Sequence, residues 1–301
     1  METTAGTYED INPPLVSIIS VHFNNLKVTE EFIKSILQID YTHVEIFIVD
    51  NGSLSEPIAP LIEQYPEIKF IISESNLGFA GGNNLAIKEA KGELLLFINN
   101  DTEVETDFMN PLVKHFAENP NVGMVCPLIK YFNTNIIQYA GNSAISNFTG
   151  RSSRIGFKEE DLGQYNGAFR TEMIDGAAVL VKKEVIDAIG LMPEVFFLYY
   201  EEIDWCTQAK DAGYEIWVNG NSVVYHKESM SVGKNSPFKL YYMTRNRVLF
   251  LRRNTRGIQK VSWMLFIMFF TIPKNLILYI AKGDLKSLKS FCKGLYWNLI
   301  H

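Results

Sequence analysis

The sequence predicts an α/β protein: a Rossmann-like, mixed and mostly parallel central sheet flanked by helices, followed by a helical C-terminal extension. Three observations carry this. Apolar, β-branched runs alternate with helix-period segments through the first half, the pattern of a doubly wound sheet. Those runs end on His, Asp or Asn, which gathers polar loops at one sheet edge, where open α/β sheets bind ligands. Beyond Ser236-Pro237 the chain turns aromatic and basic, with an apolar stretch from Val261 to Ala281. The expected division is a leader at 1–14, an α/β domain at 15–236 and a helical, membrane-associating region at 237–301.

Taken in order, Leu15 to His22 reads as a first buried strand, because it is β-branched and follows Pro13-Pro14. Val28 to Ile39 carries Phe32, Ile33, Ile36 and Leu37 at helical spacing, with Thr29 as the expected N-cap. Val44 to Val49 is a second strand, so the first two strands pair in parallel through a right-handed crossover. Ile68 to Ile72, a helix from Gly82 to Ala90 and a strand from Leu94 to Ile98 continue the pattern. After a helix from Pro111 and an apolar Val122 to Cys126, residues 131–168 lose all period and read as loops and short strands over the sheet. Regularity returns with a strand at Ala177 to Val181, a helix from Lys183, a helix starting near Glu201, and two short strands at Glu215 to Val218 and Val223 to Tyr225.

Composition narrows the function. Hydrophobic residues make up 47% and charged residues 21%, the profile of a folded globular chain. The net charge of -6 argues against a general nucleic-acid binder, since nothing in the bulk charge neutralises a phosphate backbone. Cys126, Cys206 and Cys292 form no CxxC pair, which suggests neither a disulfide framework nor a cysteine metal site and fits a reducing, cytoplasmic compartment. The polar N-terminus lacks the basic and apolar regions of a signal peptide, so the Asn147 sequon reads as accidental.

Four strand-end loops, His22 with Asn24, Asp50-Asn51-Gly52, Asn76-Leu77-Gly78 and Asn99-Asn100-Asp101, are expected to face one pocket. Each also serves as an ordinary turn: Asn99 to Thr102 reads equally as a helix cap, and Gly78 to Gly82 equally as a tight turn or as a helix start whose amides receive phosphate. No GxGxxG follows the first strand, which disfavours a dinucleotide fold. Glu201, Glu202 and Asp204 follow an aromatic run, where desolvation and mutual repulsion should raise at least one pKa into the range of a general base. The competing reading is an acidic first turn that complements the helix dipole. His226, at a strand end, gains meaning if it meets Asp101.

In the tail, Pro273-Lys274-Asn275 interrupts the apolar stretch, and Arg252, Arg253, Arg256, Lys260, Lys282, Lys286 and Lys289 flank it. The preferred reading is two apolar halves lying in the interface of an anionic leaflet, with a spanning or re-entrant segment and a buried helix or oligomer contact as alternatives.

Together Val16 to Asn24, Val49 to Ser53, Asn76 to Asn83, Asn99-Asn100-Asp101, Phe196 to Trp205 and Tyr225-His226 resemble family-2 glycosyltransferases, more narrowly the rhamnosyltransferase-like branch of bacterial surface-polysaccharide enzymes, over residues 15–255. The resemblance implies a GT-A fold, a UDP- or dTDP-sugar donor, a divalent cation (Mg²⁺ or Mn²⁺), inversion at the anomeric carbon, and a glycan or lipid-linked glycan acceptor at the cytoplasmic face of the membrane. It implies Glu202 as the catalytic base and Asp101 with His226 as metal ligands. His22, Asn24, Asp50, Gly52, Asn76, Gly78, Asn83, Asn99, Asn100 and Asp101 fall on the nucleotide-sugar side, with Asp50 on the pyrimidine base; Asp175, Gly176, Glu201 and Asp204 fall on the acceptor side. Asn99 departs from the family's DxD pattern and removes one carboxylate. A sugar nucleotidyltransferase and a non-catalytic polysaccharide-binding protein are the alternatives.

Overall fold

The structure, a computed structural model, describes residues 13–146, 148–149, 151–227 and 236–301. Most of the expected leader, Asn147 of the sequon and the loop after Lys227 lie outside the described residues. Strands β1 (Val16–His22), β2 (Val44–Asn51), β3 (Lys69–Ser73) and β4 (Leu94–Ile98) pair in parallel in the order β3-β2-β1-β4, joined by helices α1 (Leu26–Ile36), α2 (Ala59–Gln64) and α3 (Gly78–Ile87). The chain winds one way from β1 through β2 to β3, then returns to the other side of β1 with β4. That reversal opens a crevice beyond the carboxyl ends of β1 and β4.

The sheet is completed by β5 (Thr102–Val104), β6 (Val122–Tyr131), β7 (Ile137–Tyr139), β8 (Ala168–Arg170), β9 (Ala178–Lys182) and β10 (Glu215–His226), with helices α4 (Met109–Glu118), α5 (Lys183–Ile189) and α6 (Glu201–Asp211) between them. β9 enters antiparallel between β4 and β6, so the sheet is mixed, as expected. The two strands expected at 215–225 are one strand, bent by a register shift between Asn219 and Val223. Its far end pairs antiparallel with β5, setting His226 opposite Thr102 and therefore beside Asp101.

Apolar runs without alternation occur because both faces of the sheet are covered. In β4, Leu95 and Phe97 join the core under α3, α5 and α6, while Leu94, Leu96 and Ile98 join the core under α1, α2 and α4. Burying one such side chain fully is worth about 1.5–3 kcal/mol. The N-cap of α1 is Asn25, whose side chain accepts from the Val28 amide, and not Thr29. Thr29 sits one turn in, where its hydroxyl meets His22 Nδ1 at 2.7 Å and Asn100 Nδ2 at 2.7 Å.

The tail forms α7 (Pro237–Asn254), α8 (Gly257–Phe266), α9 (Ile272–Ala281) and α10 (Leu285–Ile300). Pro273 does not split the apolar stretch: Gly257–Ala281 is one helix of 25 residues, and an 18-residue window within it has a mean hydropathy of 1.8. Proline lacks an N–H and crowds the carbonyl four residues back. A π turn at Ile267–Thr271, in which Ile272 N–H donates to Ile267 O, widens the helix ahead of it, and Asn275 Nδ2 donates to Thr271 O at 2.7 Å. Phe196, Tyr200, Leu249, Phe250, Trp263 and Ile267 form a separate cluster that fixes the tail to the α/β domain.

Candidate active site

A cleft of about 830 Å³ opens at the carboxyl edge of the sheet, bounded by the ends of β1, β2, β4 and β10, the start of α6 and the first turns of α7. Asn76, Gly78, Asn99, Asn100, Asp101, Asp175, Gly176, Glu201, Glu202 and His226 all line it. The structure thus brings together the loop after β4, the strand end at His226 and the acidic helix start.

Asp101 Oδ1 lies 3.1 Å from His226 Nε2, and Gln138 Oε1 lies 3.0 Å from His226 Nδ1. If Gln138 accepts from Nδ1–H, Nε2 meets the Asp101 carboxylate either as a protonated donor or as a lone pair. Two acceptors at that separation repel unless a proton or a metal ion lies between them. Carboxylate plus imidazole is a donor set suited to a borderline divalent cation. Among the described residues no group of three or more His, Cys, Asp or Glu side chains gathers to hold a metal. Two protein ligands suffice where substrate phosphate oxygens and water complete the shell. Asn99 adds no charge, so the corner carries a single carboxylate.

Opposite stand Glu201 and Glu202. Glu201 is buried, and desolvation reinforced by the Glu202 charge drives its carboxyl well above the usual range. Desolvation pushes Glu202 up to about 7, with Asp175 repelling and Arg154 attracting its charge. Each has an Oε2 atom buried without a hydrogen-bond partner among the described residues, a costly state for a carboxyl group. The dipole reading alone does not account for it.

These glutamates are aimed by a strained loop. Phe197, Tyr199 and Tyr200 have φ of 65°, 69° and 77°, values that cost a side-chain-bearing residue about 1–3 kcal/mol each. Asn246 of α7 holds the loop: its Nδ2 donates to the carbonyls of Phe196, Leu198 and Tyr199 at 2.9, 2.8 and 2.7 Å. From the other side Phe79 N–H donates to Phe197 O at 2.7 Å. Gly78, with φ of 74°, has room for no Cβ because Phe197 O occupies that space. The amides of Gly78 and Phe79 are therefore committed, to Asn76 Oδ1 and Phe197 O, which favours the tight-turn reading of this glycine loop over phosphate reception.

Several expected site residues fall outside the cleft lining. His22 is buried, with Nδ1 on Thr29 and Nε2 on Glu56 O at 2.8 Å. Asn24 Oδ1 accepts from Leu54 and Ser55 N–H, and Asp50 accepts from Ser53 and Ile58 N–H at 2.9 and 3.0 Å. Gly52, with φ of 73°, turns the same loop against the Ser75 backbone. Asn83 is buried in α3 and bonds Phe79 O. Asp204 is 1% exposed and takes a bidentate contact from Arg253 at 3.1 and 3.0 Å with Asn254 Nδ2 at 2.7 Å; it anchors α7 and lies outside the cleft lining. Gln138, Arg154 and Asn246 are the residues that sequence reasoning missed, and Asn51 was placed at the pocket with its loop but given no role of its own. Asn51 was recoverable, because successive side chains of a strand face opposite sides and Asp50 and Asn51 cannot share one role.

Residues 17–188 match the family model "Glycosyl transferase family 2". Uncharacterized protein y4gI of Sinorhizobium fredii is 26% identical over 80% of this chain, which spans only 27% of that relative's length. The dTDP-rhamnosyl transferase RfbF of Shigella flexneri is 24% identical over 81% of this chain and 84% of its own. The mannosyltransferase PcManGT of Pyrobaculum calidifontis, solved with GDP-Man and Mn²⁺, superposes with a TM-score of 0.57 at 15% identity over 96% of this chain and 83% of that one. The likeness in structure establishes a GT-A architecture. With more than half of its length matched by the family model, the chain belongs to glycosyl transferase family 2 and carries that family's glycosyltransferase domain.

Proposed function

We propose that the protein is an inverting, metal-dependent glycosyltransferase that moves a sugar from a nucleoside-diphosphate donor to a hydroxyl of a glycan or lipid-linked glycan in surface-polysaccharide synthesis. The observation that carries the reading is one cleft holding the Asp101–His226 pair on one wall and Glu202, with its pKa near 7, on the other. Asp101 and His226 would hold Mg²⁺ or Mn²⁺, which when bound supplies charge stabilisation for the departing diphosphate. Glu202 accepts the proton of the acceptor hydroxyl as that oxygen bonds to C1 of the sugar; the C1–oxygen bond to the diphosphate breaks, and the nucleoside diphosphate leaves. A base poised near neutrality suits that proton transfer. Glu201, held protonated, keeps a second negative charge away from the acceptor face.

A dTDP-sugar is the donor favoured by the likeness to RfbF, with a UDP-sugar as the other pyrimidine donor that the sequence resemblance implies. Asp50 holds the Ser53 and Ile58 amides and lies outside the cleft lining, while its neighbour Asn51 and Asn76 are the polar side chains that line the cleft there; Asp50 reads the base in this proposal only from the wall of that loop. Screening dTDP- and UDP-sugars for Mn²⁺-dependent hydrolysis by the purified protein tests the assignment. Turnover of at least one donor, lost on chelation, is expected; none with any donor contradicts it.

Attachment to a membrane surface belongs to the same reading. Phe269 and Phe270 are 63% and 65% exposed on the 257–281 helix, and basic side chains flank it. Removing the tail is a poor test, because Trp263, Ile267 and Phe291 are buried against the rest of the protein. Replacing Phe269 and Phe270 by Glu should release the protein from anionic vesicles in a flotation assay at an unchanged melting temperature; continued binding excludes this face as the anchor.

A further inference from the structure

Beside the catalytic cleft lies a second cavity of about 280 Å³ between α7, the π turn and α10. Leu240, Ile267, Phe291 and Leu295 make its walls apolar, and it shares Arg151, Tyr200 and Met243 with the main cleft. Arg151 and Arg247 both stand on its lining; burial, with a smaller contribution from the Arg151 charge, holds Arg247 below the usual guanidinium range. Arg247 Nε donates to Thr149 O at 2.9 Å, yet among the described residues no carboxylate lies within 4.0 Å of either guanidinium. In a chain with 34 Asp and Glu residues and a net charge of -6, two arginines without a carboxylate partner at the lip of an apolar cavity are a place for an anion. Phosphoryl oxygens match guanidinium geometry.

We propose that this second cavity binds the lipid-borne diphosphate of the acceptor, with the diphosphate on Arg151 and Arg247 and the first part of its hydrocarbon chain among Leu240, Ile267, Phe291 and Leu295. The rest of the chain leaves along the exposed apolar face of the 257–281 helix, which places one end of the acceptor in the membrane and the other in the cleft. The proposal deepens the glycosyltransferase reading and rests on it for the identity of the acceptor. Tyr200 lines both cavities and senses the charge of Glu202 and of both arginines. The reacting hydroxyl and the diphosphate are therefore neighbours, so the acceptor is short: the sugar that receives the transfer is bonded to the lipid diphosphate or lies close to it.

The test is calorimetric titration of the full-length protein in neutral detergent with farnesyl diphosphate, and separately with inorganic diphosphate, farnesol, and dTDP or UDP with Mn²⁺. Farnesyl diphosphate should bind more tightly than inorganic diphosphate or farnesol. Arg151→Gln and Arg247→Gln should each weaken it about tenfold, equivalent to about 1.4 kcal/mol, at unchanged nucleotide affinity. Leu295→Trp, which fills the cavity, should weaken farnesyl diphosphate and leave inorganic diphosphate alone. Arg151 is exposed and its side chain makes no hydrogen bond among the described residues, so its variant decides the matter where Arg247→Gln unfolds the protein. Equal affinity for inorganic and farnesyl diphosphate overturns the proposal in favour of a free-anion site, and parallel loss of nucleotide binding reassigns the arginines to the donor. Failure of the wild type to bind farnesyl diphosphate while it binds a nucleotide also overturns it. Failure to bind either nucleotide counts against the donor reading alone.

Discussion

The loops after β1 and β2 and the walls formed by the ends of β4 and β10 with the start of α6 are built from the same kinds of side chain and use them in opposite ways. At β1 and β2, His22, Asn24 and Asp50 have partners for their polar atoms: Thr29, Glu56 O, Leu54, Ser55, Ser53 and Ile58. At β4, β10 and α6, Asp101 pairs with an imidazole at the cleft wall, Glu201 and Glu202 each bury an oxygen that has no hydrogen-bond partner among the described residues, and three aromatics of one loop sit at positive φ. Satisfied polar groups build a wall; unsatisfied ones hold reactivity in reserve. Composition alone does not separate the two.

The largest expected contrast comes from Glu202→Gln. Transfer should fall by about 10²–10⁴-fold with donor affinity unchanged, the range for loss of a general base. Its stability effect has the opposite sign. The folded-state pKa near 7 lies above the ordinary 4.5, so the stability that Glu202 contributes is complete below about 4.5 and is lost as pH rises through 7. The Gln variant should therefore melt at a higher temperature than the wild type above neutrality and not in acid, which differential scanning calorimetry at two pH values reads directly.

Asp101→Ala should weaken Mn²⁺-dependent nucleotide binding by more than about a hundredfold, and Gln138→Ala, which removes only the orienter of His226, by about 10–100-fold. Titration of nucleotide with and without Mn²⁺ separates the two; equal affinities in Asp101→Ala and the wild type remove the metal assignment. Smallest in rate and largest in folding is Asp50→Ala. Loss of two amide contacts in a buried turn should cost about 1–3 kcal/mol of stability and leave turnover per folded molecule close to normal. A specific loss of donor affinity at unchanged stability would move Asp50 from the wall back to the site.

The sheet was legible because buried strands advertise themselves: β4 runs over Leu94 to Ile98, as its apolar run indicates. The position of Asp101 and His226 at the cleft was legible because each closes or follows such a strand, and that of Glu202 because it opens a helix after an aromatic run. What escaped depends on contacts across long separations. Gln138 sits in a stretch without period and meets His226 from 88 residues away, and Asp204 looked like its acidic neighbours until Arg253 arrived from 49 residues on. Pro273 read as a break because a π turn ahead of it leaves no mark in composition. Asn25 and Thr29 compete for one cap, and only the backbone conformation at Asn25 decides between them.

The central claim, that Glu202 is the base of a sugar-transfer site, is tested most directly by the pH dependence of single-turnover transfer at saturating donor and Mn²⁺. The rate should climb about tenfold per pH unit below about 7, where one proton blocks the base, and level off above it. A rate independent of pH between about 5 and 9 would contradict the assignment.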